Sequence, residues 1–481
     1  MLEMKRRQYP FALYAALATL LPGTSQAHSF GRLYNLPVPF WMYIYGATAA
    51  LLLSFLLVAW FATAKEESFA ARPQRTLPVA LPRLKLALRL LALFGLLLTI
   101  TTGFFGNGDP YRNFSMTFFW IVFVLAYAYA TALLGDLYAA INPWRTLADG
   151  LGRLIPGYTR GRWRYPERLA YWPALGFYMA FIWIELFAHT RPFSLAVTLS
   201  VYSLLNLLGV WAFGARDWFR YGEFFAVFLR LIAKMAPFAY EQGRLRLRRP
   251  FSGLLEQPAE RWSLLLFVLF MLSSTAFDGL MATRTWLQLF WSDPFGILEA
   301  WVGTKAIYAF PTLRPVYFAF QSFCLLISPF VYLAVYLLAI GLMKLVTGSR
   351  LPLRELALRF ALSLLPIVLV YNITHYYTLI LTQGVKIVSL LSDPFGKGWN
   401  LFGTAGLFRA PFLPDIGLVW HVQVGLILFG HIVSVYLAHL EALRLFPSRG
   451  RAALSQIPML LLMVLFTGAG LWILAQPITS R

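Results

Sequence analysis

The stretch 262–282 reads WSLLLFVLFMLSSTAFDGLMA and carries a single charged side chain, Asp278. A helix needs roughly 20 consecutive apolar residues to cross a bilayer, so this run predicts a membrane span. Nine further runs of the same kind fall near 41–63, 89–105, 114–133, 169–188, 193–213, 316–343, 360–381, 417–442 and 454–476. With 59% hydrophobic and 13% charged residues, the composition excludes a soluble chain. The expectation is an all-α polytopic bundle of about ten transmembrane helices, with short helices and loops on its outer face.

The charges between the runs give the topology. Of 41 Lys and Arg, 28 fall in the alternate gaps 64–89, 135–168, 214–262, 344–359 and 443–452. Basic loops stay cytoplasmic, so those five gaps face in and the others face out. Lys5, Arg6 and Arg7, the apolar run Phe11–Leu21 and then Ser25-Gln26-Ala27 read as a signal peptide over 1–27. Cleavage there leaves His28 as the first mature residue of a single integral membrane domain, 28–481. Both mature termini are expected on the periplasmic side of a bacterial inner membrane.

The net charge of +21 is spread over five short loops, which fits anionic lipid and not nucleic acid. The single cysteine, Cys324, leaves no disulfide framework or thiolate zinc site. In the gap 214–262, Arg220, Glu223, Arg230 and Lys234 recur at helical spacing opposite Phe224, Phe225, Phe228, Leu231 and Ile232. That pattern predicts an interfacial helix near 219–236 in the headgroup plane.

The long outer loops 283–315 and 382–416 each contain SDPFG, at Ser292–Gly296 and Ser392–Gly396, and Gly108-Asp109-Pro110-Tyr111 is related. Asp followed by Pro is expected to start a helix, as cap and first residue. Asp393 is also a candidate for the substrate pocket. Trp286, Trp291, Trp301, Trp399 and Trp420 are expected to form an outer interfacial belt.

Ionisable groups inside spans are costly and mark candidate sites. Glu185 and His189 are four apart, which predicts a shared helix face. Asp278 closes the sixth run, and Asn372, His375 and Tyr376 share a face of the eighth. His421 and His431 lie in the ninth, with His439 nearer its cytoplasmic end. Imidazole and carboxylate together suit zinc or copper. The candidate metal ligands are therefore His28, His189, His375, His421 and His431, with Asp278 and Glu185 as catalytic carboxylates. Tyr376, Tyr377 and Trp399 are candidate walls of an apolar pocket. The alternatives are a redox protein, with copper at His28 or haem b between His375 and His431, and a metal- or proton-coupled transporter. There is no GxxxxGK[ST] phosphate loop, HExxH or GxSxG.

Several of these residues also carry a resemblance. Ala27-His28 with Leu36-Pro37-Val38-Pro39, Asn142-Pro143-Trp144-Arg145, Phe277-Asp278-Gly279, His375-Tyr376-Tyr377, SDPFGKGWNLFG from Ser392 to Gly403, and His431 with His439 stand in order along most of the chain. In these features the chain resembles a bacterial family of multi-pass membrane proteins, some of whose members are described as fenitrothion hydrolase subunits. The resemblance implies hydrolysis of hydrophobic organophosphorus triesters, with a second membrane subunit as partner.

Overall fold

The computed structural model describes residues 38–61, 76–78, 82–241, 243–408, 414–446 and 448–476. The expected signal peptide and His28 lie outside the described residues. Among those described, nine helices are long and apolar enough to cross a membrane, and the chain is an all-α, multi-pass membrane bundle. We number the principal helices α1 (Phe40–Phe61), α2 (Pro82–Phe105), α3 (Phe114–Leu134), α4 (Pro143–Leu154), α5 (Trp172–Phe187) and α6 (Pro192–Phe213). There follow α7 (Phe224–Ala233), α8 (Trp262–Met281), α9 (Phe310–Thr347), α10 (Leu365–Thr382), α11 (Ile416–Leu445) and α12 (Arg449–Ala475).

The fourth apolar run forms α5, which at 16 residues is the shortest helix among the ten runs. The others become α1–α3, α6 and α8–α12. In α9 the helix starts at Phe310, earlier than its apolar run, because Pro311 sits in the first turn where a proline is tolerated.

The quoted stretch becomes the centre of the bundle. Seventeen of the 20 residues of α8 are buried, whereas α1 buries only Ala47, Leu51 and Phe55. A helix apolar on every side suits a position surrounded by other helices. Helix α8 packs between α9 and α10, and α12 joins α9 to α11. Small residues let these backbones close up: a Cβ on Gly470 would stand 2.1 Å from the Tyr371 hydroxyl, and one on Gly279 would stand 2.7 Å from Ile473 Cγ2.

Two expectations about the polar ends change. The helix expected in the headgroup plane exists as α7, but Phe224, Phe225, Val227, Leu229, Leu231, Ile232 and Ala233 are all buried. Its aromatic side is covered by protein: Phe224 stacks on Tyr178 at 5.0 Å, and Phe225 stacks on Trp144 at 5.6 Å. The amphipathic pattern was real, but its apolar face meets α4 and α5, not lipid. Beside it the strands Thr76–Pro78, Phe238–Glu241 and Arg244–Leu247 form a small antiparallel sheet, with the last in the middle.

At the opposite end, the Asp-Pro elements cap turns. Asp393 Oδ1 and Oδ2 accept from Lys397 N and Gly398 N, and Asp293 does the same for Ile297 N and Glu299 N. Pro294 is not a first helical residue, since the next helix begins at Ile297. The related loop at 107–113 docks on the second copy, with Asn107 N donating to Phe395 O at 2.8 Å. Of the tryptophans assigned to a belt, Trp286 and Trp420 are buried in the protein, while Trp301 and Trp399 are exposed.

Candidate functional site

The interior of a helix bundle in lipid offers no water to solvate a carboxylate, so Asp278 must find its partners among neighbouring helices. It lies one turn inside the end of α8 and is therefore not a helix cap. His375 Nε2 from α10 stands 2.7 Å from Asp278 Oδ2. Tyr376 Oη donates to the same oxygen at 2.9 Å. The two rings meet edge-on at 4.5 Å. Consecutive residues of α10 thus reach one carboxylate oxygen.

Asn372, one turn earlier, takes a different partner. Tyr129 Oη on α3 donates to Asn372 Oδ1 at 2.9 Å. Helix α10 is held from its other side by Gln423, whose Nε2 donates to Thr374 O at 2.9 Å.

Two small cavities flank the cluster. One, of about 30 Å³, is lined by Asp278, Tyr376, Asn372 and Glu185 together with Phe123, Phe224 and Phe225. The other, of about 50 Å³, is lined by His375, Tyr371, Thr374, Gly279 and Gly470. Each has room for a few waters, and a water there would have carboxylate, imidazole or phenol groups to bond. Neither holds a ligand of the several hundred Å³ typical of small-molecule sites.

The remaining sequence candidates do not join this cluster. His189 falls past the last residue of α5 and has a left-handed backbone, φ 42°. It therefore leaves the helix face on which Glu185 sits, and the expected pairing of the two is lost. His421 is exposed, with Nδ1 2.7 Å from Gly417 O. His431 is fully buried, its Nδ1 2.8 Å from Ile427 O and its ring 5.8 Å from that of Tyr371. Tyr377 donates to Val419 O at 3.3 Å and points away from Asp278. Trp399 lies in the outer loop against Phe395, and Asp393 serves its turn. His439, nearer the cytoplasmic end of α11, is 1% exposed.

Among the described residues, no group of three His, Cys, Asp or Glu side chains could hold a metal ion. Of the described candidates, His421 and His431 are each tied to the backbone of α11, and His375 to Asp278. A haem between His375 and His431 does not fit either: Tyr371 lies against His431, and the cavity beside His375 is only about 50 Å³.

A second buried acid lies outside the membrane-spanning helices, where the cost of placing charge in a span gives no signal. Glu223 is 0% exposed and stands at the start of α7. Its Oε1 accepts from Tyr202 Oη at 2.5 Å and Phe225 N at 3.0 Å. Its Oε2 accepts from Ala226 N at 2.8 Å and Asn142 Nδ2 at 3.1 Å. Asn142 in turn caps α4, accepting from Arg145 N at 3.0 Å. Two helix N-termini therefore meet on one carboxylate, a favourable place for negative charge. Burial nonetheless outweighs the four donors and pushes the Glu223 carboxyl up to about 7.

No family model, curated protein or solved structure matches this chain.

Proposed function

We propose that the protein is a membrane-embedded hydrolase of hydrophobic esters, organophosphorus triesters included, with an acid–base centre at Asp278 and His375. The observation that carries this reading is the convergence of two distant segments, Phe277-Asp278-Gly279 and His375-Tyr376-Tyr377, on one hydrogen-bonded cluster beside water-sized cavities. In this mechanism the Asp278–His375 pair takes a proton from a water in the adjoining cavity. The hydroxide adds to the acyl or phosphoryl centre, the bond to the leaving group breaks, and the proton passes to the departing oxygen. Asp278 orients the imidazole and stabilises its charged form, as carboxylates do in other acid–base pairs. Tyr376 holds Asp278 in place, and Glu185 faces the same cavity.

The charge bias of the loops supports an outward-facing site in a bacterial inner membrane. The test is hydrolysis of a long-chain 4-nitrophenyl ester and of an aryl dialkyl phosphotriester by purified protein in lipid vesicles. His375→Ala is expected to lower the rate by about 10²-fold or more, the usual weight of a general base. An unchanged rate would remove the centre from the mechanism.

A second reading is proton movement across the membrane. It is favoured by Phe224 and Phe225, which follow Glu223 and also line the cavity of Glu185 and Asp278, so that buried acids stand on both sides of one aromatic wall. Proton uptake driven by a potassium diffusion potential, lost in Asp278→Asn without any ester hydrolysis by the wild type, would select it.

A further inference from the structure

The basic end of the bundle is not uniform. In the loop 214–262 several arginines are taken up by neighbouring acids. Arg220 pairs with Glu260 at 3.2 Å, and Arg246 and Arg248 meet Glu256 at 2.8 and 3.5 Å. Further along, Arg359 and Arg444 meet Glu441 at 3.4 and 3.3 Å. The segment that follows α4 is different. Arg153, Arg160, Arg162 and Arg164 are exposed there, as is Arg216 beyond α6. Among the described residues, none of these five has an ion-pair partner. Glu167, the acid that follows the segment, faces Arg261 at 3.5 Å instead.

This segment is a fixed collar on the end of α6. Tyr158 Oη donates to Leu207 O at 2.7 Å. The backbone N–H groups of Arg162 and Trp163 donate to Ala212 O at 2.9 and 2.8 Å. Gly161 and Gly214, both with positive φ, let the two backbones touch. A Cβ on Gly161 would stand 2.3 Å from Gly214 N, and one on Gly214 would stand 2.7 Å from Arg160 O. Arg162 lies over the Trp211 ring at 5.0 Å, and Trp163 meets the same ring edge-on at 5.5 Å.

Depth and composition together fix what covers the collar. Helix α6 has 22 residues, about 33 Å of rise, so its ends reach the polar boundaries of a hydrocarbon layer roughly 30 Å thick. The collar on its last turn therefore stands at headgroup depth. Beside the guanidinium groups it exposes Leu154, Ile155 and Trp163, at 79%, 51% and 58%. Cations interleaved with apolar and aromatic side chains at that depth match lipid phosphate on one side and acyl chain on the other. The planar guanidinium fork suits phosphate because it engages two oxygens at once. Clusters of four or more such bases next to a membrane span attract anionic lipid.

We infer that the collar Arg153–Arg164, together with Arg216, is a binding site for anionic phospholipid. The guanidinium groups hold the phosphates, and Leu154, Ile155 and Trp163 rest against the acyl region. The site is local, because the arginines paired with Glu256, Glu260 and Glu441 have their counter-charges within the protein. It is independent of the hydrolase reading.

The test uses the full chain in phosphatidylcholine vesicles, with bimane attached to Ile155→Cys in a Cys324→Ser background. Quenching is read with spin-labelled phosphatidylglycerol or spin-labelled phosphatidylcholine at equal mole fraction. The anionic lipid is expected to be enriched at the label about fivefold or more over phosphatidylcholine, and high salt should weaken that preference. Arg160→Gln with Arg162→Gln and Arg164→Gln should bring the two lipids to equal quenching. Quenching by phosphatidylcholine should stay as before, which shows the collar still folded at the membrane. Arg350→Gln with Arg354→Gln and Arg449→Gln removes as much charge elsewhere and should change nothing. Equal quenching by the two lipids in the starting protein, or an equal loss in both triple variants, would overturn the inference. So would a preference abolished by inorganic phosphate at constant ionic strength, since the collar would then take a soluble anion.

Discussion

Two buried carboxylates, Asp278 and Glu223, solve the same desolvation problem in opposite ways. Glu223 stands at a helix start, and both its oxygens are taken up by two backbone N–H groups, a phenol and an amide. Asp278 sits inside a helix, where no backbone N–H is free to meet it, and draws a phenol and an imidazole onto a single oxygen. The cavity beside Asp278 admits water, and its histidine partner can exchange a proton. A carboxylate surrounded by fixed amide donors clasps α4 to α7. One that shares its charge with an imidazole beside a cavity is equipped for proton transfer.

Substitutions at the two carboxylates separate these roles. The largest structural effect is expected from Glu223→Ala, which strands Tyr202, Asn142 and two backbone N–H groups in the interior. A loss of about 3–5 kcal/mol follows from breaking such a buried set, and it reads out as a collapse of monodisperse yield on size-exclusion chromatography. A mild effect there would show that Glu223 is no clasp.

A smaller effect concerns pH. The Glu223 carboxyl is raised in the folded protein from its ordinary 4.5 to about 7, so between those values the folded state holds the extra proton. Its contribution to stability is fully present below about 4.5 and is lost as pH rises through about 7, at most about 3 kcal/mol. The melting temperature of the wild type is therefore expected to fall across that window relative to Glu223→Gln, which keeps most of the hydrogen bonds and carries no titrating proton. Parallel pH profiles for the two proteins would contradict this.

The smallest effect is expected at His421. It is exposed and bonded to its own helix, so His421→Ala should leave hydrolysis and melting temperature within error. A large loss of activity there would point to a site assembled differently from the Asp278 cluster.

Much of the architecture was legible because lipid imposes it. Runs such as Trp262–Ala282 have one stable form in hydrocarbon, and they became α8 and its neighbours. The amphipathic pattern at Arg220–Lys234 was ambiguous for a physical reason: an apolar stripe reports that it is covered, but not whether lipid or protein covers it. Asp278, His375 and Tyr376 stood out by the cost of placing them in spans. Their mutual contact did not, since it joins residues 97 and 98 positions apart and depends on how α8 meets α10. The same limit applies to the candidate metal ligands, of which His421 is exposed and His431 buried on α11, while His375 meets Asp278 from α10. Glu223 carried a usable signal, since it directly precedes the run Phe224-Phe225 at the place of a helix cap. Its role as one charge of an amphipathic face hid that.

The proposed chemistry assigns proton transfer to Asp278 and a structural role to Glu223. The most direct measurement is the rate of long-chain ester hydrolysis in lipid vesicles by equal amounts of folded wild type, Asp278→Asn and Glu223→Gln. A loss of about 10²-fold or more is expected for Asp278→Asn and a rate within a few-fold of wild type for Glu223→Gln. An active Asp278→Asn, or an equal loss in both variants, would contradict it.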